Sequence, residues 1–400
     1  MKLLFAHDFP MIRDTIGNVY SKGAFPYAVW ERYLKHFDKM TILGRERERI
    51  NYNDTSKEII NSLSVSSGPD TNFIGLPNLS SIKGKVINKR NAKLIIDREL
   101  KKSDALIARL PSEIGKLAIT VAIDHGIPYL IELVGCPYDA YRFYGDFKGN
   151  VYAPISMYQT KKIVKNSQYT IYVTKEYLQE RYPTKGDQVN ISNVNINDIN
   201  NEDILNTRIN SIKTIGDRKL KIGMIGSLNS KYKGFDKAIE YISKLANFND
   251  YEIHILGAGD ENNFKEIIRE TGMTSKVFFD GTRSSGEEVF KWLDGIDLFI
   301  HPSLTEGLPR ALIEALSRGC LAIGSTRGGI PELLEEKYLF NPLDEKSFNR
   351  SIKNALHSVK SMEEQIYINL NKVKEYTIPQ LSQKRDNFIR KFISENKLKL

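Results

Sequence analysis

The sequence predicts an α/β protein with two doubly wound domains, each built on a parallel sheet that helices cover. Short apolar segments alternate with helical segments along almost the whole chain of 400 residues, and this alternation is typical of parallel sheets. The apolar segments are rich in Ile, Val and Phe and lack polar alternation, which indicates strands buried on both faces. The length also exceeds what one ordinary core accommodates.

In the N-terminal half, strands are predicted for KLLFAHD, KMTILG, ALIARLP, PYLIELVG and TIYVT, with helices such as AVWERYLKHF and KLAITVAIDHG between them. The initial MKLLFAHDF has only a very short apolar run, whereas a secretory signal needs roughly 7–15 apolar residues. We therefore interpret it as the first strand.

In the C-terminal half, strands are predicted for LKIGMIGS, YEIHILGAG, KVFFDGT, DLFIHPS and LAIGST, with helices GFDKAIEYISKLAN, NNFKEIIRETG, GEEVFKWLDG and LPRALIEALSRG. Residues 184–219 are polar, rich in Asn and barely periodic, so they are interpreted as a linker. An amphipathic helix is predicted after Pro379. The predicted units are 1–205, 206–379 and a final helical segment 380–400, with the ligand site in a cleft between the two domains.

Cysteine use and hydropathy limit the class of protein. Cys136 and Cys320 lie far apart and form no CxxC pair, which argues against a disulfide framework or a zinc site and suits a reducing compartment. No run approaches the roughly 20 apolar residues of a membrane span. We therefore expect a cytoplasmic protein.

The formal net charge is +9, and much of the excess is clustered between residues 83 and 102. The cluster comprises Lys83, Lys85, Lys89, Arg90, Lys93, Arg98, Lys101 and Lys102. It fits a solvated face, an anionic membrane surface or nucleic acid, but no nucleic-acid-binding motif accompanies it, so no nucleic-acid partner is predicted. With Phe25, Tyr27 and Trp30, which we expect to be exposed, it favours peripheral contact with the inner face of the membrane.

The stretch 301-HPSLTEGLPRALIEALSRG-319 predicts an anion site at a helix start. Its strand ends at the edge of the sheet where open α/β folds bind ligands. A turn over Leu304–Gly307 then leads into a helix that is predicted to begin at Leu308 or Pro309, since proline suits the first helical position. The free amides of Leu308, Arg310 and Ala311 form a site for phosphate.

Two glutamates flank this helix start. Glu314 lies about one and a half turns into the helix, where its carboxylate is placed to accept hydrogen bonds from a pair of ribose hydroxyls. Glu306 precedes the helix and faces another part of the same ligand. A surface glutamate on an amphipathic helix is the alternative for Glu314 alone.

Other predicted strand ends add complementary groups. Gly226 and Ser227 end one strand, and the following loop carries Lys231 and Lys233, whose charges neutralise a diphosphate if the loop is more than a solvated turn. Residues Gly281–Arg283 present backbone groups to a nucleobase. The stretch 326-TRGGIPELL-334 permits close backbone approach at its glycines. HILGAGD contains only GxG, which is too little for a dinucleotide fingerprint.

With these loops, residues 220–340 resemble the retaining nucleotide-sugar glycosyltransferases of family 4, which have the GT-B fold of two Rossmann-like domains facing a central cleft. The segments 17-GNVYSKGAFPYAVWERYL-34 and 170-TIYVTKEYLQERYP-183 resemble bacterial surface-polysaccharide members. The resemblance implies that Glu314 binds ribose, that Glu306 and the amides after it face the donor sugar, and that Lys233 holds the diphosphate. It also implies that the last helix crosses back onto the N-terminal domain.

The candidate site residues form three groups. Glu306 and Lys233 are the catalytic candidates. The donor-binding candidates are Glu314, Gly307, Leu308, Pro309, Arg310, Lys231, Gly226, Ser227, Gly281, Thr282 and Arg283. The candidates for the diphosphate loop and the acceptor side are Gly23, Tyr20, Glu132, Gly135, Asp139 and Arg109; Arg109 either touches an anionic group or forms a structural ion pair.

Two positions depart from the family pattern. Ser227 stands where the family usually has an arginine, so diphosphate binding depends more on Lys233, with Lys231 as a further cation. Val134 stands where the family often has a sugar-contacting histidine. His125 is expected on the surface, in the turn before that strand, and no catalytic histidine is nominated.

The sequence therefore predicts a retaining glycosyltransferase that needs no metal and no cofactor, since no DxD motif lies in a plausible metal site. The donor is expected to be a UDP- or GDP-sugar, and the acceptor a saccharide or a polyprenyl-linked saccharide in cell-surface polysaccharide synthesis. An epimerase or phosphorylase of the same fold, or an inactive sugar-nucleotide-binding scaffold, is the alternative. An NAD-dependent dehydrogenase requires a full GxGxxG with an acidic residue about 20 positions later, and neither half supplies both.

Overall fold

Two parallel β-sheets form the framework of the computed structural model, which describes residues 1–21, 25–50, 63–79, 84, 87–143, 147–197, 201–245 and 250–398. The predicted strands ALIARLP and DLFIHPS are entirely buried over Ala105–Leu110 and Leu298–His301. Burial on both faces explains why these segments lack polar alternation. None of the helices in the described ranges is long and apolar enough to cross a membrane.

The N-terminal sheet has the order β5-β3-β1-β6-β7-β8-β9, all parallel, with the short β2 and β4 paired antiparallel beside the end of β1. Its strands are β1 Lys2–Asp14, β2 Val19–Ser21, β3 Lys39–Ile50, β4 Ser64–Val65, β5 Thr71–Leu76, β6 Ala105–Leu110, β7 Tyr129–Leu133, β8 Tyr169–Tyr172 and β9 Asp187–Asn190. Its helices are α1 Tyr27–Leu34, α2 Lys89–Leu100, α3 Glu113–His125, α4 Pro137–Phe143, α5 Phe147–Lys165 and α6 Tyr177–Arg181.

The C-terminal sheet has the parallel order β12-β11-β10-β13-β14-β15. Its strands are β10 Leu220–Ile225, β11 Tyr251–Leu256, β12 Val277–Phe279, β13 Leu298–His301, β14 Leu321–Ser325 and β15 Leu339–Phe340. The helices from the linker onward are α7 Asn201–Lys213, α8 Phe235–Ser243, α9 Lys265–Glu270, α10 Glu287–Asp294, α11 Arg310–Ser317, α12 Glu345–Ala355, α13 Val359–Val373 and α14 Ile378–Glu395. The strand order reverses between β10 and β13, which makes their carboxyl ends the expected ligand site.

The segment interpreted as a linker contains β9 and the helix α7. Arg208 of α7 donates hydrogen bonds to the carbonyls of Leu293 and Ile296, both at 2.6 Å. These bonds fix α7 to the C-terminal domain. The helix was not predicted because Asn, Asp and Thr have weak helix propensity, and tertiary contacts decide such segments.

The last helix returns to the N-terminal domain. Asp386 of α14 lies 3.0 Å from His36, and Glu395 accepts a hydrogen bond from the Tyr169 hydroxyl at 2.5 Å. The Tyr169 ring also packs edge-on against Phe392, with 5.2 Å between the centroids. α14 therefore packs on the N-terminal domain, although it follows the C-terminal domain in the chain.

The domains are joined again beside the cleft. The carboxylate of Glu332, in the GGIPE segment, accepts hydrogen bonds from the amides of Lys175, Glu176 and Tyr177 at 2.6–3.1 Å. These amides precede and open α6, so a residue of the C-terminal domain caps a helix of the N-terminal domain.

The expectation of exposed aromatic side chains near the N-terminus is wrong. Trp30 is fully buried, Phe25 is 4% exposed, and Tyr27 is only partly exposed. Phe25 stacks on Trp30 with 5.5 Å between centroids, and Trp30 packs against Phe5 of β1. These rings are the core contacts that hold α1 on the sheet, so they offer nothing to a membrane.

Candidate active site at the interdomain cleft

The candidate site lies at the carboxyl ends of β10 and β13. After β10 the chain passes Gly226 and forms a short 3-10 turn, Lys231–Lys233, before α8. Gly234 follows with a φ of +68°, and a Cβ there would lie 2.5 Å from the carbonyl oxygen of Pro302. A glycine is therefore required for this loop to approach Pro302, directly after β13, in the segment that leads to Glu306.

Lys233 and Glu306 form an ion pair in this loop contact. Lys233 Nζ lies 2.6 Å from Glu306 Oε1, and only 16% and 15% of the two side chains is exposed. Burial alone raises the pKa of Glu306, but Lys233 and the hydrogen bond from His301 hold it well below its usual range. Burial lowers the pKa of Lys233, and Glu306 raises it to a net value above the usual one. Both groups are therefore charged at neutral pH.

His301 completes the cluster and was not nominated from the sequence. Its Nε2 lies 3.2 Å from Glu306 Oε1 and 3.3 Å from Ser303 Oγ. Burial lowers the pKa of His301, although Glu306 opposes the shift, so the imidazole is neutral and donates through Nε2–H. The sequence feature that could have identified His301 is its position as a polar residue at the end of an otherwise apolar strand. Among the residues described, no group of three or more His, Cys, Asp or Glu side chains is arranged to hold a metal ion.

The turn after β13 leads into α11 one or two residues later than predicted. Pro309 is the N-cap residue, and the helix begins at Arg310. No side chain caps this end. The Ile313 amide donates a hydrogen bond of 3.3 Å to the Pro309 carbonyl, four residues earlier. The amides at the start of α11 therefore remain available to an anion.

Glu314 lies on the second turn of α11 and is partly buried. Its carboxylate makes no hydrogen bond or ion pair within the described residues. Burial raises the pKa of Glu314, and the nearby Arg310 opposes that shift. A partly desolvated carboxylate without a partner is suited to accept hydrogen bonds from a ligand.

The Glu306–Gly307 turn is held by backbone contacts on two sides. The Gly329 amide donates to the Gly307 carbonyl at 2.8 Å, and a Cβ on Gly328 would lie 2.1 Å from the Glu306 carbonyl oxygen. Across the cleft, a Cβ on Gly307 would lie 2.2 Å from the carbonyl oxygen of Val134. Glycines thus let the turn fit between its own domain and the opposite one.

A cavity of about 730 Å³ is lined by both domains, with Val134 on the N-terminal side and Arg310 on the C-terminal side. The C-terminal domain contributes Thr282, Arg283 and Arg310, all exposed at the surface of the cleft. Gly281, Ser227 and Lys231 are also exposed. Leu308 and Pro309 are buried, and Gly226 and Gly307 are intermediate.

The candidates on the N-terminal side mostly have partners inside their own domain. Arg109 lies 2.7 Å from Glu132, which also accepts from the Tyr33 hydroxyl at 2.5 Å. Both members of the pair are buried, so Arg109 forms the structural ion pair that was the alternative for it. Its guanidinium also lies over the Phe25 ring, 4.9 Å from the centroid.

Asp139 accepts from the Tyr177 hydroxyl at 2.7 Å and lies 3.4 Å from Arg181. Tyr20 is buried and donates to Asp14 at 3.0 Å. Gly135 borders the cleft through contact with Gly307. Gly23 lies outside the described residues. None of these carboxylates is free to meet a substrate in the way that Glu314 is.

His7 lines the same cavity and was also missed. Its Nδ1 lies 3.0 Å from the Arg109 carbonyl oxygen, which only accepts, so Nδ1 carries the proton. Burial, followed by the charge of Arg109, lowers the pKa of His7 to about 4. The sequence signal was again a polar residue where the first apolar run ends, in KLLFAHD. His125, expected in a surface turn, ends α3 and pairs with Asp97 at 2.5 Å.

Comparison with known proteins adds evidence on the family. Residues 206–371 match the family model described as "Glycosyl transferases group 1". The chain is 33% identical to Protein CapJ of Staphylococcus aureus over 388 residues, which is 96% of this chain and 94% of that protein. It is 36% identical to the amylovoran biosynthesis glycosyltransferase AmsK of Erwinia amylovora over 124 residues, which is 29% of this chain and 30% of that protein.

A solved structure shares the whole fold. Anabaena Alr3699/HepE in complex with UDP-glucose superposes with a TM-score of 0.64 at 13% identity, covering 98% of this chain and 100% of that chain. At this identity the likeness concerns the fold alone. It confirms the predicted arrangement of two Rossmann-like domains.

Proposed function

Because this chain belongs to the group 1 glycosyltransferases and has the GT-B fold, we propose that it is a retaining enzyme of cell-surface polysaccharide synthesis. It moves a sugar from a UDP- or GDP-linked donor to a saccharide or a polyprenyl-linked saccharide. The biosynthetic role named for AmsK supports the polysaccharide assignment, and the UDP-glucose complex of Alr3699/HepE supports a nucleotide-sugar donor.

The observation that carries the donor assignment is the partly buried carboxylate of Glu314, which has no partner among the described residues and lies behind the uncapped start of α11. In the proposed pose, the ribose hydroxyls donate to Glu314 and the diphosphate lies against the first amides of α11. Positive charge at a helix N-terminus favours this placement. The exposed loop Gly281–Arg283 takes the base, and the Glu306–Gly307 turn faces the sugar.

Lys233 has two roles in this proposal. Its ion pair with Glu306 positions the ammonium beside the start of α11, and a bound diphosphate shares that ammonium with Glu306. As the bond between the sugar and the diphosphate breaks, negative charge grows on the leaving oxygen. Preorganised cations and helix amides stabilise that charge at no reorganisation cost. Lys231, which is exposed, adds a second cation.

The proposed transfer retains configuration. The acceptor hydroxyl attacks the anomeric carbon on the face that the diphosphate leaves, so a carbon–oxygen bond to the acceptor forms as the bond to the phosphate oxygen breaks. The leaving phosphate oxygen takes the proton of the hydroxyl. We propose that no metal takes part; loss of turnover in EDTA that added Mg²⁺ or Mn²⁺ restores would contradict this.

A thermal-shift panel of nucleoside diphosphates and their sugars tests the donor site. A ligand that binds only the folded state raises the melting temperature by mass action. We expect one base to stand out, and we expect Glu314→Ala to lose most of that shift. An unchanged shift in the variant would refute the ribose assignment. Turnover with donor but no acceptor would instead favour an epimerase or a phosphorylase.

We also propose peripheral contact with an anionic membrane through α2 and its neighbours. Lys89 and Arg90 of α2 have no ion-pair partner in the described residues, whereas Lys93, Arg98, Lys101 and Lys102 pair with nearby carboxylates. Lys83 and Lys85 lie outside the described residues. Large apolar side chains are exposed on α2 and its neighbours, at Ile87, Leu94 and Ile123.

Helix α5 also exposes apolar side chains, with Val151, Ile155 and Tyr158 48–70% exposed. Lysines beside apolar side chains suit the headgroup region of anionic lipid. Flotation with anionic vesicles should show binding that falls with salt and weakens in Leu94→Ser. Equal recovery with neutral vesicles, or no binding, would refute the contact without affecting the donor assignment.

A further inference from the structure

The N-terminal wall of the cleft carries an arginine that has no partner among the described residues. Arg32 of α1 lines the cavity of about 730 Å³ and is partly buried. It makes no hydrogen bond or ion pair with any residue in the described part of the chain, although most partly buried guanidiniums are paired.

The residues around Arg32 add positive charge. Arg385 of α14 is 4% exposed and donates a long hydrogen bond of 3.4 Å to the Ser192 carbonyl. Its buried Nε has no hydrogen-bond partner in the part of the chain that the structure describes. Arg109 is also close enough to act on Arg32. Burial, followed by the charge of Arg385, lowers the pKa of Arg32 to about 10.

Among the charged groups that act most strongly on Arg32, the carboxylate is Glu132, which Arg109 and Tyr33 already engage. Arg32, Arg109 and Arg385 thus bring three positive charges together, whereas Glu132 brings one negative charge. Charges of one sign held together away from water destabilise the folded state unless an anion joins them.

Arg32 stands on the opposite wall of the cavity from the proposed diphosphate position. Arg32, with Asn193 and Asn195, forms the N-terminal wall of the cavity, and Arg283 and Arg310 stand on the C-terminal wall. Glu288 also lines the C-terminal wall, and its carboxylate accepts from the Ser284 amide at 2.7 Å. An anion at Arg32 therefore belongs to a second ligand on the acceptor side.

We infer that the acceptor carries an oxyanion, either a phosphate or a carboxylate, which Arg32 binds on the N-terminal wall of the cleft. This inference rests on the proposed transfer. A guanidinium matches either group with two parallel hydrogen bonds. The phosphate would come from the diphosphate of a lipid-linked acceptor, and the carboxylate from a uronic acid unit. Asn193 and Asn195 supply further amide donors in the same cavity.

Calorimetric titration of the full chain with pyrophosphate and, separately, with glucuronate tests the inference. Each titration is run with saturating UDP or GDP, which occupies the donor site, and again without nucleotide. We expect one probe to bind, and Arg32→Gln to weaken it about tenfold or more while Arg32→Lys weakens it less. The probe that binds distinguishes a phosphate from a carboxylate on the acceptor.

Lys35→Gln is the matched control, because it removes the same charge from an exposed position just after α1. Without anion, the melting temperature of Arg32→Gln should be no lower than that of the wild type, since the variant removes repulsion from Arg385. If Arg32 had only a structural role, the variant would melt at a lower temperature. Equal effects of Arg32→Gln and Lys35→Gln on both probes would overturn the inference while leaving nucleotide binding intact. If neither nucleotide binds, the donor proposal fails, and the titration without nucleotide still decides the role of Arg32.

Discussion

Lys233 Nζ lies 2.6 Å from Glu306 Oε1, although 73 residues separate them in sequence. The pair joins the loop after β10 to the turn after β13, on either side of the point where the strand order reverses. Each side chain is mostly buried, so neither charge is stable there without the other. The contact therefore ties the fold of the loops to the placement of the proposed catalytic groups.

Breaking this pair should cost stability as well as activity. Lys233→Met leaves the Glu306 charge buried with only His301 beside it, and we expect a loss of about 3 kcal/mol in the free energy of unfolding. The double variant Lys233→Met/Glu306→Gln removes both charges, so it should lose clearly less than the sum of the two single variants. Chemical denaturation of all four proteins measures the coupling. Additive losses would show that the two groups do not stabilise each other.

Nucleotide affinity should depend on pH through Glu314. Its pKa is raised by burial, and only the ionised carboxylate offers all its acceptors to the ribose. Affinity is therefore complete above this raised pKa and is lost as the pH falls through it.

Calorimetry of the preferred nucleoside diphosphate between about pH 4.5 and 8 measures this dependence, with Glu314→Gln as the control. Protonation of the phosphate affects both proteins equally. The affinity ratio of wild type to variant should hence shrink toward acid pH, and a ratio that stays constant would contradict the assignment.

His7 should make the fold sensitive to mild acid. Its pKa is about 4 in the folded protein and about 6.5 in an unfolded chain, so between these values the unfolded state binds more protons. Stability then falls as the pH drops from about 6.5 to 4, by at most about 3 kcal/mol from this group. His7→Gln cannot titrate and should lack this part of the decline. Denaturation curves at pH 7 and pH 4.5 compare the two proteins; parallel declines would contradict the prediction.

Gly307 should tolerate no side chain. A Cβ would come within 2.2 Å of the Val134 carbonyl oxygen, so Gly307→Ala must push the domains apart or displace the turn. We expect sugar transfer to fall roughly a hundredfold, which a 1 Å displacement can produce. Gly295→Ala is the control, because its Cβ would meet nothing nearer than 3.5 Å. Full activity in Gly307→Ala would show that the close approach is not needed for transfer.

The local pattern of the sequence predicted the two sheets and the loops that converge at their edges. The apolar runs without polar alternation identified β6 and β13, and the stretch 301–319 identified a helix start with Glu306 before it and Glu314 inside it. These features depend on neighbours within a few residues, where periodicity and turn chemistry are informative.

Contacts between distant segments decided the rest. Only the folded chain shows that Lys233 pairs with Glu306, that Glu132 is engaged by Arg109, and that α7 is fixed to the C-terminal domain by Arg208. Local sequence does not reveal which distant charge neutralises another. It likewise does not reveal which face of a helix a sheet will cover, so Trp30 was expected at the surface and lies in the core. The sequence by itself determined where chemistry-bearing residues stand along each element. The tertiary structure decided which of them, like Glu314 and Arg32, have no partner among the described residues, because partners are set by packing between elements far apart in the chain.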